Sequence, residues 1–174
     1  MHKLENSIII SSHKSNKSEI LHNIEYQQVG QVAYARLNRT EKMNSLKKEM
    51  IHTIINYVNQ ANQNPSIKVI ILQGSGNSFC AGQDLSELID NQNLTVKELL
   101  DHYHDKLILA IKKCNKPIIA AINGVAAEAG AIIAIACDLT IAVENSQFTF
   151  DFAKIGLPSG SGETHFLIQD IEMQ

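Results

Sequence analysis

Cysteine is scarce in this chain, and the three present, Cys80, Cys114 and Cys137, are widely spaced with no CxxC pair. That spacing argues against a disulfide framework and against a thiolate zinc site. Each thiol sits among apolar or small residues, where a free cysteine behaves as a small hydrophobe, so a reducing, cytoplasmic compartment is expected. An excess of either charge is lacking too. Fifteen Lys and Arg against 18 Asp and Glu leave a net charge of −3, which gives no global case for nucleic-acid binding. A long hydrophobic run is also missing. The stretch 117–143 is apolar but is interrupted by Asn123, Glu128 and Asp138. Its longest clean run, 131–137, falls far short of the roughly 20 residues of a membrane span, and no membrane partner is expected. The Ile8–Ile10 cluster is too short for the apolar centre of a signal peptide, about 7–15 residues. Residues 1–18 are therefore expected to be a polar extension. The dinucleotide GxGxxG, the phosphate-binding GxxxxGK[ST], the zinc-binding HExxH, the nucleophile elbow and internal repeats are all absent.

What is present is an ordinary globular composition, 44 % hydrophobic and 19 % charged over 174 residues, enough for one domain with a sizeable core. Residues 20–37 predict two strands around a turn near Gly30, with Ala33, Ala35 and Leu37 on one face and Val32, Tyr34 and Arg36 on the other. After the polar loop NRTEKMNS, the four-residue spacing of Leu46, Met50, Ile54 and Val58 predicts an amphipathic helix, with Ser45 as its N-cap. KVIILQG and PIIAAI are short, nearly all-apolar runs of the kind that form buried parallel strands. The glycine-rich GSGNSFCAGQD follows the first, leading to a short helical segment around 85–89 and a helix over 97–113. A buried helix over 126–137 and the strands LTIAV and QFTFDF complete the pattern, before the loop AKIGLPSGSGE. Strand–helix–strand alternation predicts an α/β fold with right-handed crossovers.

Two glycine-rich junctions follow buried strands, CAGQD at 80–84 and NGVAAEAG at 123–130. Strand ends of this kind are where open α/β sheets bind ligands. Each glycine alone is explained by a tight turn or close backbone packing. Together they allow more. The second junction feeds a helix that begins with Glu128, Ala129 and Gly130, and a helix start offers N–H groups and a field that favours negative charge. A second N–H from the CAGQD turn, converging on the same point, would complete an oxyanion hole for a thioester enolate.

In four ordered blocks the chain resembles the crotonase (enoyl-CoA hydratase/isomerase) superfamily. These are LNRTEKMNSL, with Thr40 where proline is usual, VIILQGSGNSFCAGQDL, KPIIAAINGVAAEAGAIIAIACDLTIA and SQFTFDFAKIGLPSGSG, spanning about 19–167. The resemblance implies a crotonase-like ββα spiral core over 19–174, cut short after the active-site loop and lacking the usual C-terminal helices. It implies a coenzyme A thioester as substrate or ligand, with no permanently bound cofactor and no metal. The matched oxyanion donors are the backbone N–H groups of Gln83 and Ala129. The matched coenzyme A segments contribute Lys42, Met43 and Ser45, and Ala81, Asp84 and Leu85. Family members are trimers or paired trimers, so a homo-oligomer is expected.

The chain departs from the family where proton transfer is concerned. The two hydratase glutamates fall at Ile132 and Phe152, and the aspartate of the aromatic acyl-CoA isomerase and dehalogenase branches falls at Gly160. NGVAAEAG and FAKIGLPSGSG nevertheless look closest to those branches. Glu128, where glycine is usual, and Glu163 are the candidate acid/base groups. Glu128 could instead favour the helix start by its charge, and Glu163 could face solvent. Asp151 would point away from the face that Phe152 lines. His102 and His104, beside Asp101 and Asp105, are expected on a solvated polar face. His165 has no evident acidic partner, and Cys80 is expected to be a buried structural thiol. The expected function is enolate-stabilising acyl-CoA chemistry, isomerase rather than hydratase. An acyl-CoA-binding or interaction protein and a hydratase with a substituted acid/base are the alternatives.

Overall fold

The described residues begin with three strands in an antiparallel meander: β1 (Ser18–Leu21), β2 (Ile24–Val29) and β3 (Val32–Leu37). The structure, a computed structural model, describes residues 18–86 and 103–150. Two strands were expected here. The extra turn is made by His22 and Asn23, both at positive φ, 46° and 60°, as a two-residue hairpin of this hand requires. A His-Asn pair is a weak turn signal, whereas Gly30, at φ 59°, is a strong one. In β3 the expected faces hold, with Ala33, Ala35 and Leu37 buried and their neighbours half-buried.

β3 then pairs in parallel with β4 (Val69–Gly74), β4 with β6 (Ile118–Ile122), and β6 with β8 (Leu139–Ala142). The resulting six-stranded sheet has the order β1-β2-β3-β4-β6-β8. A parallel partner has to be reached by a crossover, and α1 (Lys48–Gln63) makes the first. Met50, Ile51, Ile54, Tyr57, Val58 and Ala61 form its buried stripe. Ser45 does not cap it: the N-cap is Lys47, without a side-chain hydrogen bond, and the Ser45 hydroxyl instead accepts from Arg39 Nη1 at 3.1 Å.

A second, three-stranded parallel sheet has the order β5-β7-β9, from β5 (Ser78–Cys80), β7 (Val125–Ala127) and β9 (Gln147–Thr149). Each of β4, β6 and β8 lies in the large sheet, and the strand that follows each lies in the small one. α2 (Asp105–Lys112) follows β5, and α3 (Ala129–Ala136) follows β7. This is the expected ββα spiral. Two details differ from expectation. GSGNSFCAGQD contains the short strand β5, and the segment 126–137 begins as β7, so its helix starts only at Ala129. Small apolar residues such as those of 125–127 suit a buried strand and a buried helix equally, and pairing with β5 and β9 decides the matter. α3 is buried nearly all round, Ile135 alone being half-buried. The helical segment expected at 85–89 and the first part of the helix expected over 97–113 lie outside the described residues. Among the described residues, no helix is long and apolar enough to cross a membrane.

Candidate functional site

Three stretches meet where the two sheets abut: 39–46, 80–84 and 127–130. The first is organised by Asn44, which is fully buried. Its Oδ1 accepts from the Arg39 N–H at 2.9 Å. Its Nδ2 donates to the carbonyls of Ser75 at 2.9 Å and Ser78 at 2.8 Å. Met43 and Asn44 both have positive φ, 49° and 57°, a conformation that asparagine tolerates better than most residues. The loop is thereby fastened to both ends of the β4–β5 turn.

The second stretch is docked on the first as a short ladder. Leu46 pairs in parallel with Gln83. Ala81 N–H donates to Met43 O at 3.0 Å, Leu46 N–H to Gly82 O at 2.7 Å, and Asp84 N–H to Leu46 O at 2.9 Å. In a trans peptide, oxygen and hydrogen point to opposite sides. With Gly82 O aimed at Leu46, the N–H of Gln83 in the same peptide is aimed away from it. An ion pair closes the arrangement: Arg39 Nη2 lies 2.6 Å from Asp84 Oδ2, both side chains about nine-tenths buried. Burial alone would raise the Asp84 carboxyl. Hydrogen bonds from Ser86 and the Arg39 guanidinium more than offset this and bring it down to about 2.

The third stretch is the start of α3. The first turn of a helix leaves its N–H groups without intrahelical acceptors, and Ala129 is the first helical residue. Gly82, at φ +93°, presses on this point. A Cβ there would sit 3.0 Å from Glu128 Cβ and 3.6 Å from Ala129 N. Gly130 is packed as tightly, since a Cβ on it would collide with the carbonyl of Cys80. Both glycines are thus required for close approach of backbone to backbone. Glu128 is the N-cap, at φ 51° and ψ −121°, with no side-chain capping hydrogen bond. Its N–H donates to Thr149 O at 2.8 Å, which ties β9 to the same place.

Of the sequence-predicted residues, Gln83, Glu128 and Ala129 lie in this cradle. Met43 O receives the Ala81 N–H, and Arg39 joins Ser45 to Asp84. Lys42, Met43 and Leu85 are exposed, whereas Ser45 and Asp84 are engaged by Arg39. Ile132, at a hydratase glutamate position, is 2 % exposed. Cys80 is fully buried, and burial pushes its thiol up to about 12. Asp151, Phe152, Gly160, Glu163, His165, Asp101 and His102 lie outside the described residues. Among the described residues, no group of three His, Cys, Asp or Glu is arranged to hold a metal ion.

His104 corrects an expectation. It is not on a solvated face but 3 % exposed, with Nε2 2.9 Å from Gln83 Oε1. Burial pushes its imidazole down to about 4. Its spacing from the buried Leu107 and Ile111 was the available signal, since residues three and seven positions apart share a helix face. Arg39 and Asn44 were also missed as organisers of the site. Both lie in the block LNRTEKMNSL, but their ties to Ser75, Ser78 and Asp84 join segments remote in sequence and leave no local signal.

The family profile described as "Enoyl-CoA hydratase/isomerase" matches residues 27–174. A probable enoyl-CoA hydratase of Rhodobacter capsulatus is 36 % identical over 152 residues, covering 87 % of this chain and 58 % of that protein. The 1,2-epoxyphenylacetyl-CoA isomerase of Escherichia coli is 35 % identical over 134 residues, covering 75 % of this chain and 51 % of that protein. The crystal structure of an enoyl-CoA hydratase from Polaromonas sp. JS666 superposes with a TM-score of 0.77 at 31 % identity, over 84 % of this chain and 58 % of that one. The chain spans little more than half the length of these relatives.

Proposed function

The chain belongs to the enoyl-CoA hydratase/isomerase family, and on that premise we propose that it holds a coenzyme A thioester with the carbonyl between the backbone N–H groups of Gln83 and Ala129 and isomerises the acyl chain through an enolate. The observation that carries this reading is the Gly82 contact. It presses the turn bearing one N–H against the helix start bearing the other, while the Leu46 ladder turns the Gln83 N–H away from its own support. Fixed donors of this kind stabilise the charge that develops on oxygen when a neighbouring carbon loses a proton.

The acid/base inventory favours isomerisation over hydration. Hydration needs one group to activate water and another to deliver a proton. Isomerisation needs only one carboxylate, which takes a proton from the α or γ carbon and returns it to the other as the double bond moves. With Ile132 at a glutamate position, Glu128 or Glu163 fills that single role. The identity to the 1,2-epoxyphenylacetyl-CoA isomerase supports an aromatic acyl group. In this reading Lys42, Met43 and Leu85 contact the coenzyme A moiety, and Ser45, Ala81 and Asp84 hold its two segments together. The protein works as a trimer or paired trimers; the exposed Leu139 and Ile141 on the edge strand β8 supply apolar surface for assembly. The buried Ile132 also favours a second reading, an acyl-CoA-binding scaffold without proton chemistry.

The test is deuterium uptake into a bound acyl-CoA in heavy water, read by mass spectrometry. The expected outcome is uptake by the wild type that is lost in Glu128→Gln or in Glu163→Gln, the silent variant naming the base. Binding without uptake would reject the enzymatic reading in favour of the scaffold.

A further inference from the structure

The cradle has a support that neither hydration nor isomerisation uses directly. The Gly82–Gln83 peptide follows a glycine at φ +93°, whose backbone is the most easily rotated in the site. The peptide is held on its oxygen side by the Leu46 N–H at 2.7 Å. On its other flank the Gln83 side chain reaches His104, which immediately precedes α2. An amide oxygen only accepts, so His104 Nε2 carries the hydrogen and donates across the 2.9 Å to Gln83 Oε1. The ring is almost completely buried, and with its imidazole pushed down to about 4 it is neutral at ordinary pH. It therefore adds a directional hydrogen bond without adding a charge beside a developing oxyanion. Leu107 and Ile111, on the same side of α2, are buried in the core, which makes the helix a rigid mount.

We propose that His104 is a positioning residue for the oxyanion hole: its hydrogen bond to the Gln83 side chain fixes the direction of the Gln83 N–H toward the thioester carbonyl. The inference rests on the reading of Gln83 as a donor. It assigns α2 a part in polarising the substrate, in addition to its part in the core.

The experiment is isotope-edited infrared spectroscopy of crotonyl-CoA carrying ¹³C at the thioester carbonyl, bound to the full chain. Wild type, His104→Leu, His104→Gln and Gln83→Met are compared. The stretch is expected to move to lower wavenumber on binding to the wild type. His104→Leu should lose at least about half of that displacement, with the rate of deuterium uptake falling about tenfold to a hundredfold and the Kd for crotonyl-CoA changing far less. Gln83→Met, which removes the acceptor instead of the donor, should match it, and the double variant should be no worse than either. His104→Gln, which keeps an N–H in reach, should restore most of the displacement. A displacement in Gln83→Met equal to the wild type's overturns the proposal even if His104→Leu does not fold. So does a folded His104→Leu that loses thermal stability alone. A wild-type carbonyl that binds without any displacement rejects Gln83 and Ala129 as donors, and with them this proposal.

Discussion

Glu128 sits where a side chain is least comfortable. At φ 51° and ψ −121° a residue with a Cβ is strained by roughly 1–3 kcal/mol, and the Gly82 turn leaves that Cβ little space. Glu128→Gly is expected to raise the urea midpoint by the equivalent of about 1 kcal/mol, and to abolish deuterium uptake if Glu128 is the base. Glu128→Gln keeps the strain and should leave the midpoint within about 0.5 kcal/mol. Opposite signs for stability and activity at one position would mark a residue retained for chemistry. Gly82→Ala should behave differently, losing about 1–3 kcal/mol of stability together with uptake, because the added methyl meets Glu128 Cβ. The thiols separate as clearly. Cys80 and Cys137 are buried, with burial pushing both up to about 12. Iodoacetamide at pH 8 should therefore label Cys114 in the native protein and reach the other two only after unfolding.

At the scale of elements, the loop 39–46 and the turn 80–84 behave as one unit, fastened by the Leu46 ladder and the Arg39–Asp84 pair. Removing one member of a buried ion pair strands the other. Arg39→Met should accordingly cost about 3 kcal/mol in chemical denaturation and, on the proposed function, weaken binding of a coenzyme A thioester, because Ser45 and Asp84 lose their common anchor. The secondary structure was largely legible. The spacing of Met50, Ile54 and Val58 gave α1, and the apolar runs gave β4 and β6. What was not legible depended on tertiary partners rather than on local propensity. Ser45 has the chemistry of a cap, but Arg39 claims its hydroxyl. His104 has the chemistry of a surface residue, but the packing of α2 carries it to Gln83. The segment 125–127 is apolar enough for a helix, but β5 and β9 flank it. At the site, the glycine spacing pointed to the two donor loops, while the block LNRTEKMNSL did not by itself say that Arg39 and Asn44 hold them in place.

For the molecule as a whole, pH acts through His104 first. Its folded value, about 4, lies below the ordinary 6.5, so the unfolded chain takes up the proton first as pH falls. Stability tied to His104 is then complete above about 6.5 and is lost progressively toward pH 4, on the order of 3 kcal/mol in total. Urea titrations of the wild type and His104→Gln should converge across that window. The Asp84 contribution follows at lower pH, lost between 3.8 and about 2. The same wiring governs when the cradle comes into being. Its three strands of contact arise early, midway and late along the polypeptide, and local segments alone cannot build it. Chains dominated by such long-range pairings fold slowly. A nascent chain that has emerged as far as Asp84 carries one half of the cradle, with Gly82 facing solvent. Only when residues beyond Gly130 have left the ribosome can the halves close on each other. On the proposed function, ligand capture therefore reports on completed tertiary assembly, and a coenzyme A thioester added during refolding should bind in the last kinetic phase.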